Sequence, residues 1–463
     1  MFTRIKPMKR ASFLITALMV CTMQAQLSGG GEANPNLQTN KKALEKFREN
    51  RFGMFIHWGP VTLRGKEIGW SRTRSIPIED YDNLYKEFNP VLFSAEAWVR
   101  AAKEAGMKYL VLTTRHHDGF SLWDSAYSDY DMANTPYGKG VVKSLSDECK
   151  KQGLDFGVYY SVLDWWHPDY PVNGPDDKAP EGQKMTNPET VEQMNRYVVY
   201  MKNQLKELID LTDTSMIWFD GGWEWPWTHE MGMDLYAYLR GLKDDMLINN
   251  RVDKALEGVV TRKIDGRERF AGDYITPEQR IGTFNNVLPW ETCMTIANQW
   301  AWKPNDKLKS QEECIQTLVR TVGGDGNLLF NVGPMPDGRI EQRQINRLKE
   351  MGDWLKINGD AVYGTRGGPY EPTDYMVSTR KGNNIYLHLL KNPETDLVLP
   401  FPKGIEINKS YFLDGKIPVT IDRDKKSIRI PIPKKMPDDI VSVIVLELGK
   451  SAQDIEVIKR TNY

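Results

Sequence analysis

The sequence predicts an α/β protein, a (β/α)8-like, TIM-type barrel followed by a small antiparallel β-sandwich. Three observations carry this. From Phe52 to about Asn358, short apolar runs of β-type composition alternate with amphipathic helical segments, as in repeated βα units around a parallel sheet. Beyond Asn358, Gly364, Gly367, Gly368, Pro369 and Pro372 break that rhythm, and short alternating strands with turn residues follow. A chain of 463 residues also exceeds one compact core of ordinary size, which suits a large barrel carrying an accessory domain.

Taken in chain order, the first residues carry Arg4, Lys6, Lys9 and Arg10, then an uncharged, mostly apolar run from Ala11 to Met23, then Ala25. This is the layout of a secretory signal peptide over 1–25, with cleavage expected after Ala25 and an exported protein, periplasmic or secreted. Cys21 raises a lipoprotein anchor, against which the bulky Met19 and Val20 argue.

The barrel is expected over 35–365. Its clearest strand candidates are Met107–Thr113, Phe156–Tyr160, Met216–Phe219, Met246–Ile248 and Asn327–Val332. Weaker runs near Phe55, Tyr274 and Met294 bring the total to about eight, which favours a barrel over an open doubly wound sheet. The clearest helix lies between the second and third of these runs. Val191, Met194, Val198, Met201, Leu205 and Leu208 recur at three- and four-residue steps, and Asn187-Pro188-Glu189 supplies a cap, a first-turn proline and an early acid. For the sandwich, over 366–463, the expected strands are Ile385–Leu390, Leu397–Leu399, Ile417–Ile421, Ile428–Ile432 and Ile440–Leu446.

Charge and cysteine usage exclude several classes. The formal net charge is −1, and removal of a leader carrying four positive charges takes it to −5, which offers no basic field for nucleic acid or anionic membrane. No apolar stretch beyond the leader approaches the length of a membrane span. Cys149, Cys293 and Cys314 are scattered, with neither a CxxC pair nor zinc spacing, so no metal and no cofactor is expected. Fourteen Trp and twenty Tyr are, by contrast, abundant, and large flat side chains with one polar handle suit a cleft that grips an amphipathic ligand.

In a barrel enzyme, reactive groups sit where strands end and βα loops begin. Four such ends carry unusual polar residues. Phe52-Gly53-Met54-Phe55-Ile56-His57-Trp58-Gly59 ends an apolar strand in an imidazole; alone, that is better explained by structural hydrogen bonding. Thr113-Thr114-Arg115-His116-His117-Asp118-Gly119-Phe120 places two imidazoles side by side, which share a site only if the chain turns there. Neutral imidazoles both donate and accept, which fits a hydroxyl-rich ligand. Gly157-Val158-Tyr159-Tyr160-Ser161 ends a core strand in tyrosines. Ile217-Trp218-Phe219-Asp220-Gly221-Gly222-Trp223 sets an aspartate directly after an apolar strand, with two glycines that allow close approach; a turn-capping Asp is the bland alternative.

Together these motifs, in this order, resemble the α-L-fucosidases of glycoside hydrolase family twenty-nine, and Gly326-Asn327-Leu328-Leu329-Phe330-Asn331-Val332-Gly333-Pro334 with Asp337-Gly338 matches as well. The similarity spans about residues 40 to 365. It implies an exo-acting, retaining α-L-fucosidase that removes terminal fucose from oligosaccharides or glycoconjugates, with Asp220 as nucleophile. His57, His116, His117 and Tyr159 would hold the fucose hydroxyls, Trp70 and Trp218 would line the site, and Arg251 would stand beside Asp220. The family often sets Glu and Trp side by side after the first strand, whereas this chain reads Glu67-Ile68-Gly69-Trp70, so Glu67 carries over less directly than Trp70.

Retention needs a second carboxyl about 5–5.5 Å from the first. Glu278, after Pro277 in an expected loop, is preferred as acid/base; Glu291, at the opening of a strand, is expected to anchor structure or binding. Two rival readings stay open on sequence. One is a fucose-binding protein on the same scaffold without turnover, and the other is a metallohydrolase built on His116, His117 and Asp118, which lacks the usual ligand spacing.

Overall fold

In the computed structural model, the described residues are 28–29, 37–177, 185–254, 263–264, 267–391, 395–424 and 426–459. The expected signal segment, with Cys21 and Ala25, lies outside them. Seven parallel strands form the central sheet: β1 (Phe52–Ile56), β2 (Tyr109–Arg115), β3 (Asp155–Ser161), β4 (Thr214–Asp220), β5 (Leu247–Ile248), β6 (Glu291–Thr295) and β7 (Asn327–Val332), in the order β5-β4-β3-β2-β1-β7-β6. Segment 273–279 spans the gap between the two edges. Asn249 bridges to Tyr274 on one side, while Ile275 bridges to Trp290 and Glu278 to Cys293 on the other, all in parallel. The ring is therefore TIM-like, and its eighth position is filled by single bridges rather than a regular ladder.

The strands are buried on both faces, so they read as near-continuous apolar runs. Alternate residues nevertheless divide between two cores. Phe55, Tyr109, Val111, Tyr159, Met216, Trp218, Leu247, Tyr274, Cys293 and Leu329 fill the barrel interior. Their neighbours Met54, Ile56, Leu110, Leu112, Val158, Ile217 and Phe330 pack outward against the helices.

Those helices are α1 (Lys41–Asn50), α2 (Ala95–Glu104), α3 (Val142–Gln152), α4 (Pro188–Leu211), α5 (His229–Leu242), α6 (Gln311–Gly323) and α7 (Gln342–Asn358). Helix α4 starts as its sequence dictates, with the Asn187 side chain accepting from the Glu189 amide at 3.0 Å and Pro188 in the first turn. A capping box between Ser310 and Glu313 starts α6.

The C-terminal part is a two-layer antiparallel sandwich. One sheet runs from the two-residue strand Arg366–Gly367 through β8 (Met376–Lys381), β9 (Asn384–Leu389) and the last strand, Ser442–Leu448, to Ile407–Phe412. The other pairs Leu397–Pro400, Ser427–Ile430 and Asp422–Arg423. The expected strand at Ile417–Ile421 is instead an irregular stretch with a single antiparallel bridge, Pro418 to Tyr411, ahead of Asp422–Arg423. Met376–Lys381 and Ile407–Phe412 escape an apolar-alternation reading because Ser378, Thr379 and Arg380 are polar yet buried, and Asn408, Lys409 and Ser410 are polar on an outer strand. Buried Asp325 ties the two parts together, accepting from Arg51 Nη2 at 2.6 Å, Arg48 Nη2 at 2.9 Å and the Gly367 amide at 2.9 Å.

Candidate active site

The site lies at the carboxyl ends of the barrel strands, where Asp220 closes β4. Gly221 follows at φ 93°, a backbone geometry that glycine adopts without strain. Gly222 passes so close to the loop after β5 that a Cβ would stand 2.2 Å from the Asp253 carbonyl. That approach brings Arg251 over the strand end. The Asn249 side chain reinforces it, accepting from the Phe219 amide at 2.8 Å and donating to the Phe219 carbonyl at 2.9 Å, like one more rung of the sheet.

Asp220 is almost enclosed, at 9 % exposure. Its Oδ1 accepts from Arg251 Nη1 at 2.8 Å and its Oδ2 from the Tyr159 hydroxyl at 3.2 Å. The same Arg251 Nη1 lies 2.8 Å from Glu278 Oε2. Both carboxylates thus touch one nitrogen, and those two oxygens stand no farther apart than twice that length. Arg251 is fixed by donating to Thr276 Oγ1 at 2.9 Å and by lying over the Trp218 indole, 4.7 Å from the ring centre. Burial opposes the guanidinium charge, but the Asp220 and Glu278 carboxylates outweigh it and hold Arg251 protonated. Glu278 is no free loop residue: its backbone bridges to Cys293 of β6, and its side chain keeps 40 % exposure at the mouth.

The adjacent imidazoles share the site because the chain turns after β2. The β2–β3 register shifts between Thr113 and Arg115, and the Gly119 amide closes a turn onto the His116 carbonyl at 3.0 Å. Gly119 is obligatory in that turn, since a Cβ there would meet Asp164 Oδ1 at 2.4 Å. The His116 and His117 rings consequently sit 4.1 Å apart, and the His116 ring stacks on Tyr159 at 5.4 Å with 6° between planes.

Neighbours fix the tautomers of His57 and His117. The Ser161 hydroxyl donates to the Leu163 carbonyl at 2.7 Å, so its oxygen receives Nδ1–H of His117 at 2.8 Å. Asn331 Nδ2 donates to the Trp300 carbonyl, so its Oδ1 receives Nδ1–H of His57 at 2.7 Å. Each ring is left with a lone pair on Nε2. Burial pushes both imidazoles down to about 3, so they stay neutral at ordinary pH. His117 Nε2 faces Asp220 Oδ2 at 3.7 Å, two acceptors side by side, either of which can receive the single proton of a sugar hydroxyl.

Three indoles line one side. Trp70 stacks on Trp223 at 6.1 Å and meets Trp165 edge-on at 5.4 Å, while His117 touches all three. Glu224 holds this corner, its carboxylate accepting from Trp165 Nε1 at 2.8 Å and from the Tyr170 hydroxyl at 2.6 Å. Trp300 closes the opposite side against His57 at 4.7 Å.

Two carboxyls expected at the ligand stand elsewhere. Glu67 spends its oxygens on the backbone amides of Ile68, Trp300 and Ala301 at 3.2, 2.9 and 3.0 Å, tying the loop after β1 to the loop after β6. Glu291 has no exposed surface. It sits one layer below the site, accepting from Trp218 Nε1 at 2.9 Å and from the Tyr109 hydroxyl, and burial pushes its carboxyl up to about 7. Asp118 turns away from the imidazoles and accepts from the Tyr81 hydroxyl at 2.6 Å, whose oxygen in turn accepts the Gly69 amide that precedes Trp70. Among the described residues, no three His, Cys, Asp or Glu side chains cluster as a metal site would require. Nor is any helix among them long and apolar enough to cross a membrane.

A family model described as alpha-L-fucosidase matches residues 18–360, three quarters of the chain. The chain belongs to the α-L-fucosidase family. Within that family, it is 31% identical to the plasma alpha-L-fucosidase of Rattus norvegicus over 379 residues, covering 75% of this chain and 77% of the relative. Among solved structures, alpha-L-fucosidase isoenzyme 1 from Paenibacillus thiaminolyticus superposes with a TM-score of 0.78 at 34% identity, over 89% of this chain and 99% of that one. A Bacteroides thetaiotaomicron α-L-fucosidase of glycoside hydrolase family twenty-nine, trapped as a covalent intermediate from 2-fluoro-fucosyl fluoride in a glutamate-to-glutamine variant, superposes with a TM-score of 0.78 at 30% identity, over 88% and 96%. Membership makes this chain a glycoside hydrolase whose substrates are fucosylated glycans.

Several residues of the site escaped the sequence. Asn331 left a readable trace, an amide set directly after the apolar run Leu328-Leu329-Phe330 of a fully buried strand. Ser161 and Thr276 left none, since their roles depend on which loop packs beside them.

Proposed function

We propose that this fucosidase is exo-acting and retaining, and that Asp220 forms a covalent fucosyl-enzyme while Glu278 serves as acid and then base. The observation that carries the reading is the shared Arg251 nitrogen. It caps the separation of the nearest Asp220 and Glu278 oxygens at twice 2.8 Å, short of the roughly 6.5–9.5 Å of an inverting pair and compatible with the roughly 5–5.5 Å of a retaining one. The relative trapped as a covalent intermediate through a glutamate variant supports the same division of labour.

The chemistry follows from the layout. Asp220 Oδ2 or Oδ1 attacks the anomeric carbon as the bond to the leaving oxygen breaks, and Glu278 delivers its proton to that oxygen. The developing positive charge on the sugar faces Asp220 in an enclosed site where electrostatic interactions are strong. In the second half, Glu278, now ionised, takes a proton from water as that water attacks the anomeric carbon and frees Asp220. Neutral His57 and His117, each with an Nε2 lone pair, accept from fucose hydroxyls, and His116 and Tyr159 complete the hydroxyl-binding wall. Reaction with 2-fluoro-fucosyl fluoride followed by peptide mass spectrometry tests this reading: the fluorofucosyl label belongs on the peptide containing Asp220, and a label on another residue overturns it.

We also propose that the chain is exported, on the strength of its basic then apolar start ending at Ala25. Mass determination of the mature N-terminus after expression in its own host tests that assignment.

A further inference from the structure

Glu291 is a fully buried carboxylate that the mechanism does not use. Its two oxygens each receive one hydrogen bond, from Trp218 Nε1 at 2.9 Å and from the Tyr109 hydroxyl. The indole it holds is the platform of the nucleophile. Tyr159 stacks on Trp218 at 5.7 Å with 18° between planes, and the Arg251 guanidinium lies 4.7 Å from the centre of the same indole. Those two side chains supply the two hydrogen bonds to Asp220, one to each oxygen. A buried carboxylate costs free energy unless fully bonded, and here both of its bonds go to groups that carry the interior layer beneath the site.

We propose that Glu291 is a positioning residue for the nucleophile. By fixing the rotation of the Trp218 indole, it sets where Tyr159 and Arg251 stand and hence how the Asp220 carboxylate is aimed at the anomeric carbon. This rests on Asp220 being the nucleophile. The role needs a hydrogen-bond acceptor at Trp218 Nε1 and needs no proton transfer. Glutamine supplies that acceptor through its carbonyl oxygen, and the Tyr109 hydroxyl oxygen can accept from its amide. Alanine supplies neither.

The test compares Glu291→Gln with Glu291→Ala on two α-L-fucosides, one with an activated aryl leaving group and one with a sugar. E291Q should stay within about threefold of the parent, while E291A should lose roughly ten- to a hundredfold in kcat on both substrates alike, the size of a small misplacement of a reacting group. E291Q as impaired as E291A, a loss confined to the poor leaving group, or an undiminished E291A would each overturn the proposal. If E291A does not fold, Trp218→Phe, which deletes the same hydrogen bond from the indole side, must show the same equal loss, and an unaffected W218F overturns it. Failure of the nucleophile reading is distinguishable, because it shows as absent fluorofucosyl labelling of Asp220 in the unaltered protein.

Discussion

Asp220, at the end of β4, and Glu278, on the segment that fills the eighth barrel position beside β5, meet on one atom, Nη1 of Arg251, 2.8 Å from an oxygen of each. The relationship explains why the segment that fills the eighth barrel position is pinned on both edges. Without the bridges to Asn249 and Cys293, Glu278 would be carried by an unanchored loop. It also makes the guanidinium the hinge of the carboxylate spacing.

Arg251→Met should therefore cost more than an ordinary binding contact. Removing the cation leaves Asp220 enclosed and short of its strongest partner, a change of roughly 3 kcal/mol when a buried ion pair is broken. We expect kcat/KM to fall by about a hundredfold. A loss appearing only in KM would mean that Arg251 merely binds substrate.

Glu278→Ala should separate the two leaving groups. Fucosides with poor leaving groups need the proton and should slow by about 10²- to 10⁴-fold, while activated aryl fucosides keep most of their first-step rate. Equal slowing of both classes would remove Glu278 from the acid role.

Gly222→Ala tests the backbone approach that delivers Arg251. A methyl group 2.2 Å from the Asp253 carbonyl must push the two loops apart. We expect a loss of about 1–3 kcal/mol of stability in denaturant titration together with a fall in kcat/KM. Unchanged activity would show that the loop after β5 can move without disturbing Asp220.

The buried imidazoles make a pH prediction away from the active site. His388, in the sandwich, is pushed down to about 3 by burial, whereas an unfolded histidine titrates near 6.5. Its contribution to stability is full above about pH 6.5 and is lost as pH falls toward 3, because only the unfolded chain takes up the proton in that window. Glu291 and Glu224, pushed up to about 7 by burial, release protons on unfolding and act in the opposite sense. The difference between His388→Gln and the parent is therefore the decisive readout. Calorimetry at pH 5 in buffers of different ionisation enthalpy should give about one proton less taken up by the variant; equal uptake would contradict the shift.

How much of this was legible in the sequence follows the periodicity of each element. Strands β2, β3, β4 and β7 announce themselves because both faces are buried, which leaves largely apolar runs; the first three lead into His116, Tyr159-Tyr160 and Asp220. The eighth position does not, since Tyr274 to Glu278 makes single bridges and includes Pro277, which cannot donate to a ladder. The side-by-side imidazoles were readable as residues but not as a pair, because the turn that brings them together depends on a bulge and on Gly119 meeting Asp164 from another loop. Glu291 shows the same limit. Its place at the start of a strand left structure and binding both open, and its partners Trp218 and Tyr109 lie 73 and 182 positions away, distances over which sequence spacing carries no geometry.

The central claim, Asp220 as nucleophile of a retaining reaction, is tested most directly by Asp220→Gly assayed with an aryl α-L-fucoside in the presence and absence of azide. The account predicts a fall in turnover of more than about a thousandfold, roughly 4 kcal/mol of barrier, and partial recovery with azide as β-fucosyl azide, the inverted product of direct attack in the space the carboxylate leaves. Undiminished turnover, or azide that restores nothing, would contradict it.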